Sequence, residues 1–393
     1  MNAQIAGGLV ADAYGGKLPL AGCILLSSLV ALLTPTAANV HIGVVIMLRV
    51  LSGLGEGALF PSVHSLTSRW THPDHRSVII GTIYSGIDTG TIFGMLMAGY
   101  LCDYGFAGGW PSVFYVFGTA GCVWSVAWLL LCYNSPATHP RMSKAERDYW
   151  AAVADTTDED AAVPVPCKEI FKSIPVWALS IAFLAEDWGF FTIVTCIPLF
   201  IHDVLGFNML TNGLVSGFPF IVSGILTPLN GLLVDWLRAP GRLSTNVVRK
   251  GFTAGGFSVT ACSFVLLSLA GCNRTLAVII IFTATVGSAL SYPNVAVNIF
   301  DLAPAHAGKL MGLVYTVVNL GAIGAPMVVG SLTYHGSTRQ EWKIVFYIGA
   351  AVYITGALVF VIFGSAKLQS WANNSAEELD GKQPLDSIRQ SDK

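Results

Sequence analysis

Apolar residues in this chain fall into runs long enough to cross a bilayer, separated by short polar breaks. A transmembrane helix needs about 20 mostly apolar residues. Such runs lie at 18–37, 41–66, 78–101, 112–133, 175–201, 212–235, 250–272, 275–299, 308–333 and 343–365. The pattern predicts an all-α membrane protein with ten complete transmembrane helices. Residues 1–10 read as the end of a further apolar helix whose beginning is absent. A long polar connection, 134–174, divides a first bundle (1–133) from a second (175–366). Residues 367–393 read as a polar, disordered tail.

Composition agrees with this pattern. Of 393 residues, 53% are hydrophobic and 11% charged, against roughly 25% charged in a soluble domain. With 21 basic and 23 acidic residues, nothing points to a nucleic-acid partner. The eight cysteines stand singly, with no CxxC pair or zinc spacing, and read as small packing residues. Neither HExxH nor GxSxG is present, so an enzyme is not expected. The chain is expected to act as a monomer in the bilayer, with no cofactor or metal beyond a coupling ion.

The basic residues set the orientation. The loops at 8–17, 67–77, 134–174, 236–250 and 300–309, with the C-terminus, hold 17 of the 21 lysines and arginines. The opposite loops hold Arg274, Arg339 and Lys343, and Arg49 lies within a span. By the positive-inside rule the rich side is cytoplasmic.

One internal repeat is visible. GGLVADAYGGK (7–17) and NGLLVDWLRAPGR (230–242) align through Gly8 with Gly231 and Asp12 with Asp235, both offset by 223 residues. Glycine permits close helix approach, and the aspartate can cap a helix N-terminus. Two copies in one orientation imply two halves related as parallel repeats.

The duplicated Gly-x-Leu-x-Asp motif around a long central loop resembles the major facilitator superfamily. LRVLSGLGEGALFPSVHSL (48–66), HRSVIIGTIYSG (75–86), GWPSVFYVFGTAG (109–121), DLAPAHAG (301–308) and EWKIVFYIGAA (341–351) are similar to the anion-transporter family of sialin, the vesicular glutamate transporters and the sodium–phosphate cotransporters. The resemblance runs from Gln4 to Trp371. It implies a two-bundle fold of twelve helices, of which helix 1 and most of helix 2 are missing here. It also implies alternating access, with a small organic or inorganic anion moved in symport with H+ or Na+. The membrane would be the plasma membrane or a lysosomal or vesicular one. The alternative is a non-transporting, truncated isoform that regulates a full-length partner.

Ionisable residues inside a span are costly and direct attention to function. Arg49 and Glu56 lie seven residues apart on one helix face, a rise of about 10 Å. Arg49 is the candidate for binding the anion and Glu56 for carrying the proton, an assignment the resemblance supports. Sialin-like members have a second acid where this chain has Ser52. His64, on roughly the same face, is a candidate relay or an interfacial histidine. Glu186 and Asp187, adjacent near the middle of a span, are candidates for ion coupling, and Asp88 is another. Trp188 matches a family tryptophan and is a candidate substrate contact; glutamate transporters carry arginine where this chain has Glu186. Gly86, Gly90 and Gly94 form GxxxGxxxG, expected to pack closely against a neighbouring helix.

Overall fold

The computed structural model describes residues 2–72, 75–136, 139–147, 150, 167–207, 209–239, 242–271, 273–334 and 336–372. All regular structure among them is helical. The first half contributes α1 (Asn2–Tyr14), α2 (Lys17–Val40), α3 (Ile42–Glu56), α4 (Leu59–Trp70), α5 (Arg76–Tyr104) and α6 (Trp110–Leu131). The short α7 (Cys167–Lys172) leads into the second half. There follow α8 (Ile174–Phe191), α9 (Ile197–Asp203), α10 (Met209–Arg238), α11 (Thr245–Leu269), α12 (Arg274–Leu302), α13 (Ala307–Thr333) and α14 (Arg339–Phe363). Among the described residues, ten segments are long and apolar enough to span a membrane, matching the number expected from the hydrophobic runs. The chain is an integral multi-pass membrane protein. The tail beyond residue 372 and about half of the central connection lie outside the described residues.

Two spans are less regular than their apolar runs suggest, and proline explains both. The run 41–66 is broken between α3 and α4 at Gly57–Ala58. Pro61 has no N–H to return to the Gly57 carbonyl, so the ladder cannot run through this point. The break leaves Glu56 as the last residue of α3. In the span Ile174–Asp203, a π-turn at Thr192–Cys196 joins α8 to α9 just before Pro198. Pro198 likewise cannot bond the carbonyl four residues back, and the wider turn absorbs the mismatch. Polar caps fix other helix starts. Ser244 accepts from Val247 N–H and Asn273 from Leu276 N–H.

The larger buried apolar cluster is drawn mainly from the second half, and Ile80 and Tyr84 of α5 join it. The smaller one, in the first half, consists of Val30, Ala37 and Leu48. The halves meet along α5 with α10 and α1 with α13. The close packing expected at Gly86, Gly90 and Gly94 is not made. An added methyl group at any of the three would meet open space. The glycine face of that stretch meets no neighbouring helix, while its Asp88 face packs on α10, so the small residues are legible as a motif but not as a contact.

Candidate functional site

The break after Glu56, the middle of α5 and the end of α8 converge on a cavity between the two halves. Its volume is about 390 Å³, and it draws its walls from both halves. From the first half come Glu56, Phe60, Tyr84 and Asp88; from the second come Asp187, Phe190, Ser223, Ser288, Tyr292 and Tyr315. Three carboxylic acids therefore face one space. No lysine, arginine or histidine is among the described residues that line it.

Each acid is held differently. Glu56 Oε1 accepts from Ser27 Oγ at 2.7 Å and from Ser52 Oγ at 2.8 Å. Asp88 Oδ2 accepts from Ser223 Oγ at 2.7 Å, a bond that joins α5 to α10. Asp187 is 8% exposed and reaches the cavity with no hydrogen bond or ion pair among the described residues. Glu186 points the other way and is fully buried behind the wall. Its carboxylate accepts from Ser288 at 2.9 Å, from Ser291, and from Tyr353 at 3.4 Å. Those donors come from α12 and α14, so Glu186 ties α8 to both. Ser288 also lines the cavity, placing one hydroxyl between the buried acid and the open space.

Aromatic rings from both halves lie between the cavity and the basic end of the molecule. Phe60 stacks on Tyr315 at 4.5 Å, and Tyr84 meets Tyr292 edge-on at 4.8 Å. The Tyr292 and Tyr315 hydroxyls are 3.3 Å apart. His64 stacks on Phe300 at 5.3 Å, its Nδ1 3.1 Å from the Phe60 carbonyl.

Beyond these rings the two copies of the internal repeat cross between halves. Gly231 of α10 packs on the start of α5; a methyl group added there would lie 2.5 Å from Ser77 O. Gly8 of α1 packs in the same way on the start of α13, 2.7 Å from Gly308 O. One turn along, Gly81 faces Thr227 and Gly312 faces Gln4. Residues 4 and 8 thus stand to 312 and 308 as residues 227 and 231 stand to 81 and 77. Asp235 Oδ2 accepts from Val78 N–H at 2.9 Å, placing a carboxylate at the free N–H groups that open α5. The Asp12 side chain lies outside the described residues. Arg249, fully buried, donates to Asp301 at 2.8 Å and to Ser77 Oγ at 3.1 Å, reinforcing this end. The cavity is closed toward the basic end.

The structure brings Glu56, Asp88 and Asp187 together and sets Glu186 directly behind. It places the other candidates elsewhere. Arg49 is exposed, with its guanidinium 5.4 Å from the Phe114 ring centre, and is not among the cavity-lining residues. Trp188 packs on α13, where Gly324 leaves room for its indole. His64 lies in the closed interface. The hydroxyls of Ser27, Ser52, Ser223, Ser288 and Ser291, and the tyrosine cluster, escape a reading based on charge, since serine and tyrosine are ordinary residues in a span. The offset pairing of Asp88 with Ser223 has no local signature at all.

A sequence profile of the Major Facilitator Superfamily matches residues 3–326 and 239–390. Vesicular glutamate transporter 3 of Danio rerio is 37% identical over 386 residues, covering 96% of this chain. Human sialin is 36% identical over 373 residues, covering 94% of this chain. The chain spans 64% of the length of the first and 74% of the second. Among solved structures, the proton:xylose symporter XylE bound to 6-bromo-6-deoxy-D-glucose superposes with a TM-score of 0.68 at 13% identity, over 93% of this chain and 84% of that one. The E. coli fucose:proton symporter FucP gives 0.58 at 10% identity, over 91% and 86%. These two show the fold alone.

Proposed function

This chain belongs to the Major Facilitator Superfamily, and on that footing we propose that it is a secondary active transporter of small organic or inorganic anions. It moves them in symport with H+ or Na+, by rocking the two halves about the cavity. The relatives named for glutamate transport and as sialin support the substrate class. One observation carries the mechanism: a space between the halves, lined among the described residues by three acids and no base, and closed at one end by contacts that cross between halves.

An anion entering beside three ionised carboxylates meets repulsion that a low-dielectric wall strengthens. Protons or sodium ions on Glu56 and Asp88 reduce that repulsion, so coupling follows from the lining itself. Glu56, held by two serines at the break between α3 and α4, is the principal coupling residue in this reading. Arg49 lies two turns along α3 from Glu56 and offers the anion a planar fork of donors when the halves rearrange. Glycine contacts at residues 8 and 231 hold the closed end, and their release exposes the cavity to the basic side.

Uptake into proteoliposomes tests the proposal. Phosphate and glutamate are offered separately under an imposed pH gradient, then under a sodium gradient. We expect uptake of at least one anion that depends on one gradient and is reduced in Arg49→Ala. Uptake of neither anion under either gradient would overturn the reading.

A further inference from the structure

The same cavity that attracts attention for its acids is also lined by aromatic rings, and one of its acids has no partner. Asp187 is more than nine-tenths buried and aimed into the space, yet forms no hydrogen bond or ion pair among the described residues. Its neighbour Glu186, by contrast, has three hydroxyl donors. A buried carboxylate without donors is an expensive feature unless a ligand completes it. Asp88 and Glu56, on the opposite half, keep one and two serine donors and leave acceptor capacity free.

Around them the wall offers ring faces and edges. Tyr84 and Tyr292 meet at right angles, 4.8 Å between centres, and Tyr315 stacks on Phe60. Phe190 lines the second-half side, packed edge-on against Phe220. Ring faces attract cations through their quadrupole, and cages of such rings are a recurring way to hold quaternary or protonated nitrogen. The ring faces carry negative potential and repel an anion, which meets no base among the described residues of the wall.

We propose that the cavity takes a solute bearing an ammonium nitrogen, with Asp187 as its charge partner and the tyrosine cluster as its cage. This rests on the transport reading and narrows it. A solute carrying both an acid group and an ammonium group satisfies both: its nitrogen lies against Asp187, and its acid group lies away from the carboxylates. The aromatic rings supply shape and the carboxylate supplies charge, so a neutral isostere fills the same volume without the main attraction.

The test is equilibrium binding of radiolabelled choline to the purified protein in nanodiscs. Glycine betaine, benzylamine and 3,3-dimethylbutan-1-ol compete, the last being the neutral carbon isostere of choline. We expect saturable binding displaced by betaine or benzylamine, with the neutral isostere at least about tenfold weaker. Asp187→Asn, nearly isosteric, should weaken choline by about tenfold or more, and Asp187→Glu should recover part of it. Tyr292→Phe should retain binding while Tyr292→Leu loses it at an unchanged thermal midpoint, which separates the cage from a structural role. Equal binding of choline and its neutral isostere, or an unchanged affinity in Asp187→Asn, overturns the ammonium assignment. So does the absence of saturable binding by choline, betaine and benzylamine. Anion uptake measured on the same preparation separates the two ideas. Uptake without ammonium binding leaves transport standing, and ammonium binding without any uptake overturns transport while keeping the site.

Discussion

Asp88 on α5 and Ser223 on α10 are joined by a 2.7 Å hydrogen bond that crosses from one half of the molecule to the other beside the cavity. A charge-assisted bond of this kind contributes about 1.5–3 kcal/mol when both partners are present. In a double-mutant cycle with Asp88→Asn and Ser223→Ala, we expect a coupling energy of about 1 kcal/mol or more, read from denaturant unfolding in detergent. Additive effects would show that the two side chains act independently.

The glycine crossing predicts a steric effect on the closed end. A methyl group at residue 231 would approach Ser77 O to 2.5 Å and Val78 Cα to 2.6 Å, both backbone atoms that cannot swing aside. Gly231→Ala should therefore hold α10 away from α5. A cysteine placed at Val78 should then react with a thiol reagent applied from the basic side at least about tenfold faster than in the parent. Asp235→Asn keeps the shape and removes the charge at the helix start, worth about 0.3–1 kcal/mol, so it should have a smaller effect in the same direction.

Much of this architecture was legible in the chain. Ten apolar runs gave ten spans because the bilayer demands length and apolarity, which a linear sequence displays directly. The repeat around Gly8 and Gly231 announced two related halves, and the structure uses both glycines as crossing points. The buried acids could be singled out because charge in a span is costly. Their partners could not: Ser223 lies 135 residues from Asp88, and no periodicity connects them. Arg49 shows the limit of facial reasoning. Its seven-residue spacing to Glu56 places both on one face of α3, but the cavity reaches that helix only at Gly53 and Glu56, and Arg49 lies beyond it over Phe114. The GxxxGxxxG stripe on α5 failed for a related reason, since composition allows close packing but does not supply the partner helix.

Glu186 should be a fixed tie rather than a mobile group. Removing Ser288 or Ser291 deprives a buried carboxylate of a donor, at a cost of about 1–3 kcal/mol each. Tyr353→Phe removes a longer, 3.4 Å contact and should cost less. Differential thermal unfolding of the three variants in one detergent checks the order, with Tyr353→Phe expected to be the mildest. A larger loss for Tyr353→Phe than for either serine would contradict it.

His306, in the turn before α13, predicts an acid-sensitive stability. The side chain is fully buried and neither ring nitrogen has a partner among the described residues. Burial, aided by nearby Lys309, lowers its pKa from 6.5 to about 4. The unfolded chain therefore binds this proton first as pH falls. Stability from neutral His306 is fully present above about 6.5, declines as pH drops toward 4, and levels off below that. The total is bounded at about 3 kcal/mol. His306→Gln, which does not titrate, should flatten this part of the stability curve relative to the parent. Identical pH dependence in the two proteins would show that His306 is not responsible.

Coupling through the cavity acids is decided by one comparison in proteoliposomes. Glu56→Gln and Asp88→Asn are combined, leaving Asp187 to hold the solute, and gradient-driven net uptake is measured beside gradient-independent exchange. Amides keep the size of the acids but neither bind nor release a proton and carry no charge for sodium. The expected result is loss of net uptake under the pH or sodium gradient by at least about tenfold, with exchange of the solute across the membrane retained. Undiminished gradient-driven uptake in the double variant would contradict coupling at this cavity.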